Sequence, residues 1–426
     1  MKKSTRKWII VAILATAAGI IFELPYMRYT FYDPLREGLG LTHEQFGELM
    51  SFYGTLAFIF YLPGGWLADR ISHKYLLGFS LIGTGLGGFY LSTWPDFGSA
   101  KILFAFWGVT SVFTFWSTLL KATSMLGDKS EQGKLFALTE GGRGIITSVM
   151  ALVATAMIAR LGGNPEQFIF VLYLYSVVCI LVGIAAVIFV PHNKIPSEDR
   201  ENGMNVIKDM VEVAKMPITW LLAICIFSIY TVYTTSSYFT PFMTEVFGVS
   251  AATAALVATF KNHLFRPISG IVGTALTNKT GSSIPSMKIS VIFLAVLIGI
   301  TLVLPVSTAF VFAISIVIAL IGLMTFVLRG LYFAPVGEVG TPKRLLGAAM
   351  GLISTIAFAS DMFNFKIVGR ILDNNPGIGG YKMVFIYILI LLGIAFVSLI
   401  FLKKASDNTI TMNNNDKEEI APNDVA

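Results

Sequence analysis

Three features of the sequence predict an all-α polytopic membrane protein, with twelve transmembrane helices in two pseudo-symmetric six-helix bundles. Composition is the first: of 426 residues, 55% are hydrophobic and 13% charged, against about 25% charged in a typical soluble domain, and mean hydropathy is +0.74. The second is that apolar runs of spanning length, about 20 residues each, recur from end to end with short polar breaks. The third is a weak internal repeat on either side of one longer polar connection. The net charge of +6 is spread between the apolar runs and gathers in no single patch, so it fits a membrane surface and not nucleic acid. Cys179 and Cys225 both lie in apolar runs and the four histidines are scattered, so no disulfide framework, metal site or cofactor is expected.

Helix 1 is expected at about 8–30. Lys2, Lys3, Arg6 and Lys7 precede it and Ala15, Ala17 and Ala18 lie within it, as in a secretory signal, but the apolar run continues past a signal-peptide core and reads as an uncleaved span. Helices 2 to 6 follow at about 43–67, 75–94, 99–123, 135–160 and 166–190. Helices 7 to 12 follow at about 217–241, 251–276, 285–305, 308–332, 345–371 and 382–402. Between the sets, His192 to Met216 mixes charges of both signs and reads as a linker, with an amphipathic helix near Val206 to Ala214 lying on the membrane surface. The chain therefore divides into a first bundle (1–192), a cytoplasmic linker (193–216), a second bundle (217–404) and an Asn- and Asp-rich tail (405–426) expected to be disordered.

Basic residues set the orientation, because cytoplasmic loops retain Lys and Arg. With the amino terminus inside, the cytoplasmic segments hold the amino-terminal cluster, Arg70 and Lys74, Lys129 and Lys134, Lys194 through Lys215, Lys279 and Lys288, Lys343 and Arg344, and Lys403 and Lys404. Both termini are expected in the cytoplasm, in a multi-pass protein of the cytoplasmic membrane.

Ionisable groups inside apolar spans are costly, about 2.5 to 3.5 kcal/mol each at the membrane centre, and so they mark candidate functional positions. They are Glu23 and Arg28 in helix 1, Lys121 in helix 4, Glu140 and Arg143 in helix 5, Lys261 and Arg266 in helix 8, Arg329 and Glu338 at the inner end of helix 10, and Asp361, Lys366 and Arg370 in helix 11. Positive groups outnumber negative ones, which points to an anionic solute. Arg28, with its planar fork, suits bidentate grip of a carboxylate or phosphate, and snorkelling near the end of helix 1 is the alternative. Arg143 stands one turn from Glu140, so an internal ion pair competes with ligand contact. Lys261 and Lys366 are candidate cavity groups, with Arg266 as a third and Asp361 a partner for Lys366. Lys121 and Arg329 stand near cytoplasmic helix ends and read as gating or snorkelling groups. Glu23, Glu140 and Asp361 are candidates for coupling to protons.

The loop after helix 2 reads Gly64-Gly65-Trp66-Leu67-Ala68-Asp69-Arg70-Ile71-Ser72-His73-Lys74 and is echoed after helix 8 by Gly273 to Gly281. It resembles the major facilitator superfamily signature G-x-L-x-D-R-x-G-R-R, with Ser72 and His73 in place of a glycine and an arginine. The resemblance implies alternating access by two six-helix bundles, with Asp69 and Arg70 in a cytoplasmic gate. A narrower similarity is to the organophosphate:phosphate antiporter branch, carried by Arg28 and Phe31, Pro34-Leu35, Thr42, Gly47, Gly65, Asp69-Arg70, Lys121 ahead of Glu131-Gln132-Gly133, Pro342 to Gly351, and Gly369 to Asp373. It implies that Arg28 is a substrate-binding arginine and that Arg143 stands where the branch has a binding histidine. Tyr61 and Tyr233 fall where the branch has a binding lysine and a binding arginine, so the paired grip on a phosphate is not reproduced. Both tyrosines remain candidates to line the path, as does Tyr26. Basic groups in helices 8 and 11 are instead similar to the oxalate:formate type of exchanger, which broadens the expected solute to a small organic anion.

The expected function is secondary active transport of a small organic anion, carboxylate or phosphate ester, by a monomer in the lipid bilayer, as an exchanger against a counter-anion or with protons. The alternative is a membrane sensor of an external anionic metabolite with little flux. An enzyme is not expected, because no nucleophile–base pair, metal-ligand spacing or Gly-rich phosphate loop is present.

Overall fold

The computed structural model describes residues 3–68, 70–127, 129–192 and 203–420; within them the side chains of 3–5, 61–62, 129–130, 132–133, 203–207, 343 and 408–420 are outside the description. The described chain is helical, and its long elements are α1 (Lys3–Ile20), α2 (His43–Ala68), α3 (His73–Leu91), α4 (Phe97–Ser124), α5 (Lys129–Leu161) and α6 (Pro165–Phe189). The second half contributes α7 (Pro217–Phe247), α8 (Ala251–Thr259, Phe260–Leu264 and Phe265–Thr280 in succession), α9 (Ser283–Val303), α10 (Thr308–Leu331), α11 (Leu346–Asn374) and α12 (Ile378–Ile420). Eight of these meet the length and apolarity of a membrane span unaided. The other four are less apolar for visible reasons: α1 opens on Lys3, Arg6 and Lys7, α2 opens on Glu44, Gln45 and Glu48, α3 opens on His73 and Lys74 and is diluted by glycine, and α8 carries Lys261, His263 and Arg266.

Three helices break where the sequence suggests unbroken spans. Pro25 lacks an N–H to continue α1, so the chain passes through turns into a 3-10 turn at Met27–Tyr29. α7 tightens to 3-10 at Ser236–Tyr238, and α11 at Ala359–Met362. α4 and α8 each contain a π stretch, Val109–Trp116 and Phe260–Leu264, the kind of irregularity that recurs at functional sites. The linker helix runs over Gly203–Ala214 and packs against α11. Arg344 ties it down through ion pairs to Asp209 and Glu212, both at 2.7 Å. α12 continues to Ile420, so the backbone of 405–420 is helical where disorder is expected from composition; Lys403 and Asp407 pair at 2.6 Å along it.

An even number of spans puts both ends of the chain at one face, here the terminal face. The two halves meet most closely at the opposite face, where α2 crosses α11. Glycine makes this crossing possible: a Cβ on Gly47 would lie 2.2 Å from the Phe365 carbonyl oxygen, and one on Gly369 would lie 2.3 Å from that of His43. Backbone therefore touches backbone, as in small-residue crossings of membrane helices. Charges reinforce the seam. Lys366 pairs with Glu48 at 2.8 Å, Arg370 with Glu44 at 2.6 Å, and Glu245 with both Arg36 (3.2 Å) and His43 (3.1 Å).

The start of α2 is closed by the other half of the molecule. Thr42 and Gln45 form a reciprocal capping box at 3.1 and 3.2 Å, while the amides of His43 and Glu44 donate to the Asp373 carboxylate at 2.9 and 2.7 Å. An anion from α11 thus sits on the positive end of the α2 dipole. Asp373→Asn removes that charge, and the expected result is about 1 kcal/mol less support for the closed seam, a shift of roughly fivefold toward separation. Spin-label distances across this face would measure it, and an unchanged distance distribution would show that the cap is not what closes the seam.

Away from the seam the same helices are open. Close contacts between the halves gather toward the seam, α2 against 359–374 of α11 and α5 against 251–264 of α8, and among the described residues they are few between the terminal-face portions 265–280 and 346–358 and the first half. The result is a cleft between the bundles, closed at one face and open at the terminal face.

Candidate functional site

The cleft narrows onto three guanidiniums. Arg143 of α5 lies 5.8 Å from the rings of Phe22 and Trp116 in the first half. Arg266 of α8 and Arg329 of α10 flank the Phe326 ring at 5.8 and 5.7 Å in the second half, and Arg329 stacks on Tyr233 at 3.8 Å. Arg266 is within electrostatic reach of both Arg143 and Arg329, so like charges from the two bundles face each other across the cleft. Glu23 lies within reach of Arg143 and Arg266, and Asp361 within reach of Arg329. The three guanidiniums stand with three carboxylates, Glu23, Asp361 and the exposed Glu140, which also lies within reach of Arg266, so formal charges balance, and a low-dielectric wall of aromatic rings strengthens the local field of each group.

Tyrosines close the inner end. Tyr29 stacks on Tyr233 across the halves with ring centres 5.5 Å apart. Tyr26 meets Tyr53 edge to face at 5.2 Å, and the Tyr53 hydroxyl shares a hydrogen bond with Ser111 at 2.8 Å. The Tyr230 hydroxyl donates to Asp361 Oδ2 at 2.8 Å. The 3-10 break in α11 puts Asp361 here, and the interrupted course of α1 beyond Ile20 does the same for Tyr26 and Tyr29.

Of the residues singled out from sequence, the structure brings Arg143, Tyr233, Glu23 and Asp361 into this cluster, together with Arg266. Arg329 joins them, although its place in sequence suggests the end of a helix and a gate. The reason is directional: side chains lean toward the N-terminus of their helix, so an arginine in the last turn of α10 reaches back into the bundle. Glu140 is exposed and holds Arg143 loosely at 3.4 Å. Phe22, Trp116 and Phe326 carry no sequence signal that sets them apart from other aromatic residues of the spans.

Other candidates lie elsewhere. Lys366 is in the far seam with Glu48, and its expected partner Asp361 faces another way, because five residues turn an α-helix by about 140° past a full turn. Lys261 is buried within the second half, donating to the Ser236 carbonyl of α7 and packed under Gly322. Arg28 is 1% exposed and boxed by four aromatic rings at 4.8 to 5.0 Å, Tyr32 and Phe46 from the first half, Tyr238 and Phe365 from the second. One of its nitrogens donates to the Phe46 carbonyl at 3.2 Å, and the Tyr238 hydroxyl also interacts with its side chain. Lys121 donates to the Gly65 carbonyl at 3.0 Å, and Arg70 lies 3.9 Å from the Trp66 ring at the terminal face. Asp69 and the side chain of Tyr61 are outside the described residues.

Two six-helix bundles around a charged cleft that is sealed at one face and open at the other define a multi-pass membrane transporter. The chain belongs to the major facilitator superfamily, whose sequence profile matches residues 8–364. It is similar to two proteins of Escherichia coli K12: inner membrane protein YqcE, 32% identical over 94% of this chain and 96% of that one, and inner membrane protein YihN, 33% identical over 89% and 91%. Among solved structures, a bacterial homolog of the human lysosomal transporter Spinster superposes with a TM-score of 0.72 at 12% identity, covering 95% of this chain and 98% of that one. The nucleoside transporter NupG superposes at 0.69 and 12% identity, covering 95% and 99%. At such identity the two structures establish the shared fold alone.

Proposed function

We propose that the protein is a secondary active transporter that moves a small organic anion, a carboxylate or a phosphate ester, across the cytoplasmic membrane by alternating access. The single observation that carries this reading is the convergence of Arg143, Arg266 and Arg329 from both bundles on the closed end of the cleft. Guanidinium forks brought together from both bundles suit an anion that joins or displaces their carboxylate partners, and a site shared between bundles lets that anion bias their relative position. The similarity of the stretch from Arg28 to Arg70 to the organophosphate branch supports the same charge preference. On the orientation set by the basic loops, with both termini cytoplasmic, the terminal face is the inner one and the cleft opens inward. Exchange against a second anion and symport with protons both fit Glu23 and Asp361 beside the arginines.

The test is a thermal-shift series on purified protein with mono- and dicarboxylates, phosphate esters, neutral sugars and organic cations, followed by counterflow in proteoliposomes. A ligand that binds the folded state at 100 times its dissociation constant adds about 2.7 kcal/mol of apparent stability. Anions are expected to raise the melting temperature and to drive counterflow. Stabilisation by cations or neutral compounds alone would sink the proposal, and binding without flux would turn the protein into a sensor.

A further inference from the structure

The carboxylate of Asp361 stands in a cleft otherwise suited to anions. It is 8% exposed and within electrostatic reach of Arg329. Its Oδ2 accepts from the Tyr230 hydroxyl, while Oδ1 has no hydrogen-bond partner among the described residues. Two neighbouring polar atoms share this condition, the Tyr29 hydroxyl, whose ring stacks on Tyr233, and Nε of Arg329, whose guanidinium covers the other ring contact of Tyr233. An acceptor, a hydroxyl that can give or take, and a donor are therefore grouped around one aromatic platform. Buried polar atoms are almost always paired, and one left unpaired costs the full desolvation of the group.

A simple carboxylate or dicarboxylate can accept from Arg329 Nε and from the Tyr29 hydroxyl but leaves Asp361 Oδ1 unanswered. It brings acceptors only, which Asp361 would repel. A solute that carries O–H donors beside its charge answers all three atoms: the anionic end meets the arginines, a hydroxyl donates to Asp361 Oδ1, and another exchanges with Tyr29. We infer that the transported anion is hydroxylated, of the sugar-acid or hydroxy-acid class, and that Asp361 and Tyr29 are the residues that select it over its deoxygenated counterparts. This inference rests on the anion reading above and narrows it.

The experiment compares matched probes on the full-length protein in detergent and in proteoliposomes: gluconate against hexanoate, glucuronate against cyclohexanecarboxylate, and glucose as the uncharged control. The wild-type protein is expected to be stabilised by each hydroxylated anion at a concentration at least about tenfold lower than by its deoxygenated partner, the worth of one hydrogen bond to a buried charge. Asp361→Asn, which keeps an acceptor oxygen but loses the charge, is expected to reduce that ratio severalfold while retaining response to anions. Tyr29→Phe, which removes one oxygen from a ring that stays stacked, is expected to weaken the hydroxylated probes alone and keeps the test intact should the Asp361 variant misfold. If no anion of either kind stabilises the wild type, the transport proposal itself fails. If the paired anions act equally on the wild type, the anion reading stands and this inference falls. It falls equally if Asp361→Asn keeps the full preference and instead loses proton-driven accumulation, which would make Asp361 a proton carrier.

Discussion

Arg329→Ala is expected to abolish uptake while the protein still folds and reaches the membrane. The guanidinium rests on Tyr233 at 3.8 Å and contributes to the field that also comes from Arg266 and Arg143. Removing a charged partner from a desolvated contact costs about 2 to 5 kcal/mol, or roughly 30-fold to several thousand-fold in affinity. Two controls separate recognition from folding. The ligand-free melting temperature should stay close to that of the wild type, because the variant removes one of three mutually repelling cations. Arg329→Lys should recover little, since an ammonium keeps the charge but cannot lie flat on the tyrosine. Uptake by Arg329→Ala at wild-type affinity would mean that the cluster is a structural charge network and that the solute binds elsewhere.

The second large effect is expected at the seam. Gly47→Leu would put a branched side chain where even a Cβ lies 2.2 Å from a backbone oxygen of α11. No rotamer relieves a clash with main chain, so α2 and α11 must part. The state seen here should then be lost in favour of one open at the opposite face, at a cost to closure well above the roughly 1.4 kcal/mol that changes a population tenfold. A cysteine substituted for Leu41, which is buried beside the seam, would report this through modification by a membrane-impermeant maleimide. Modification is expected to rise from slow to rapid, with turnover falling because the cycle stalls. Equal labelling and normal turnover in the Gly47 variant would show that the halves can seal without touching backbones.

Much of this architecture could be read from residues in order. Composition, run length and the mid-chain linker implied twelve helices in two sets, because a membrane span advertises itself through one dominant property. Glu23, Arg143, Asp361 and Arg266 were conspicuous for a similar reason: an ionisable group in an apolar run has few structural excuses. What sequence could not supply was direction. Arg329 looks terminal until the lean of its side chain is known, and Lys366 looks like a companion of Asp361 until the helix is wound and its 3-10 break is included. Arg28 matches a branch motif, yet the turn after Pro25 carries it among four rings drawn from distant segments. The glycines at 47 and 369 are legible only once α2 and α11 are side by side, since nothing local distinguishes a glycine that touches another backbone from one that touches lipid.

The box around Arg28 has a consequence for how the molecule changes state. Two of its walls belong to each bundle, so any motion that parts the bundles at that face must take Tyr238 and Phe365 away from the cation. A forked donor that was masked then becomes available to solute arriving from that side. The same residue would act as mortar in one state and as bait in the other. By reciprocity, an anion that settles on the unmasked fork must oppose its return to the box by as much free energy as the fork gains from the anion over the rings. Excess solute on that side would therefore slow resealing, and the cycle would run fastest at a concentration that loads the central arginines while leaving Arg28 free to be walled in again.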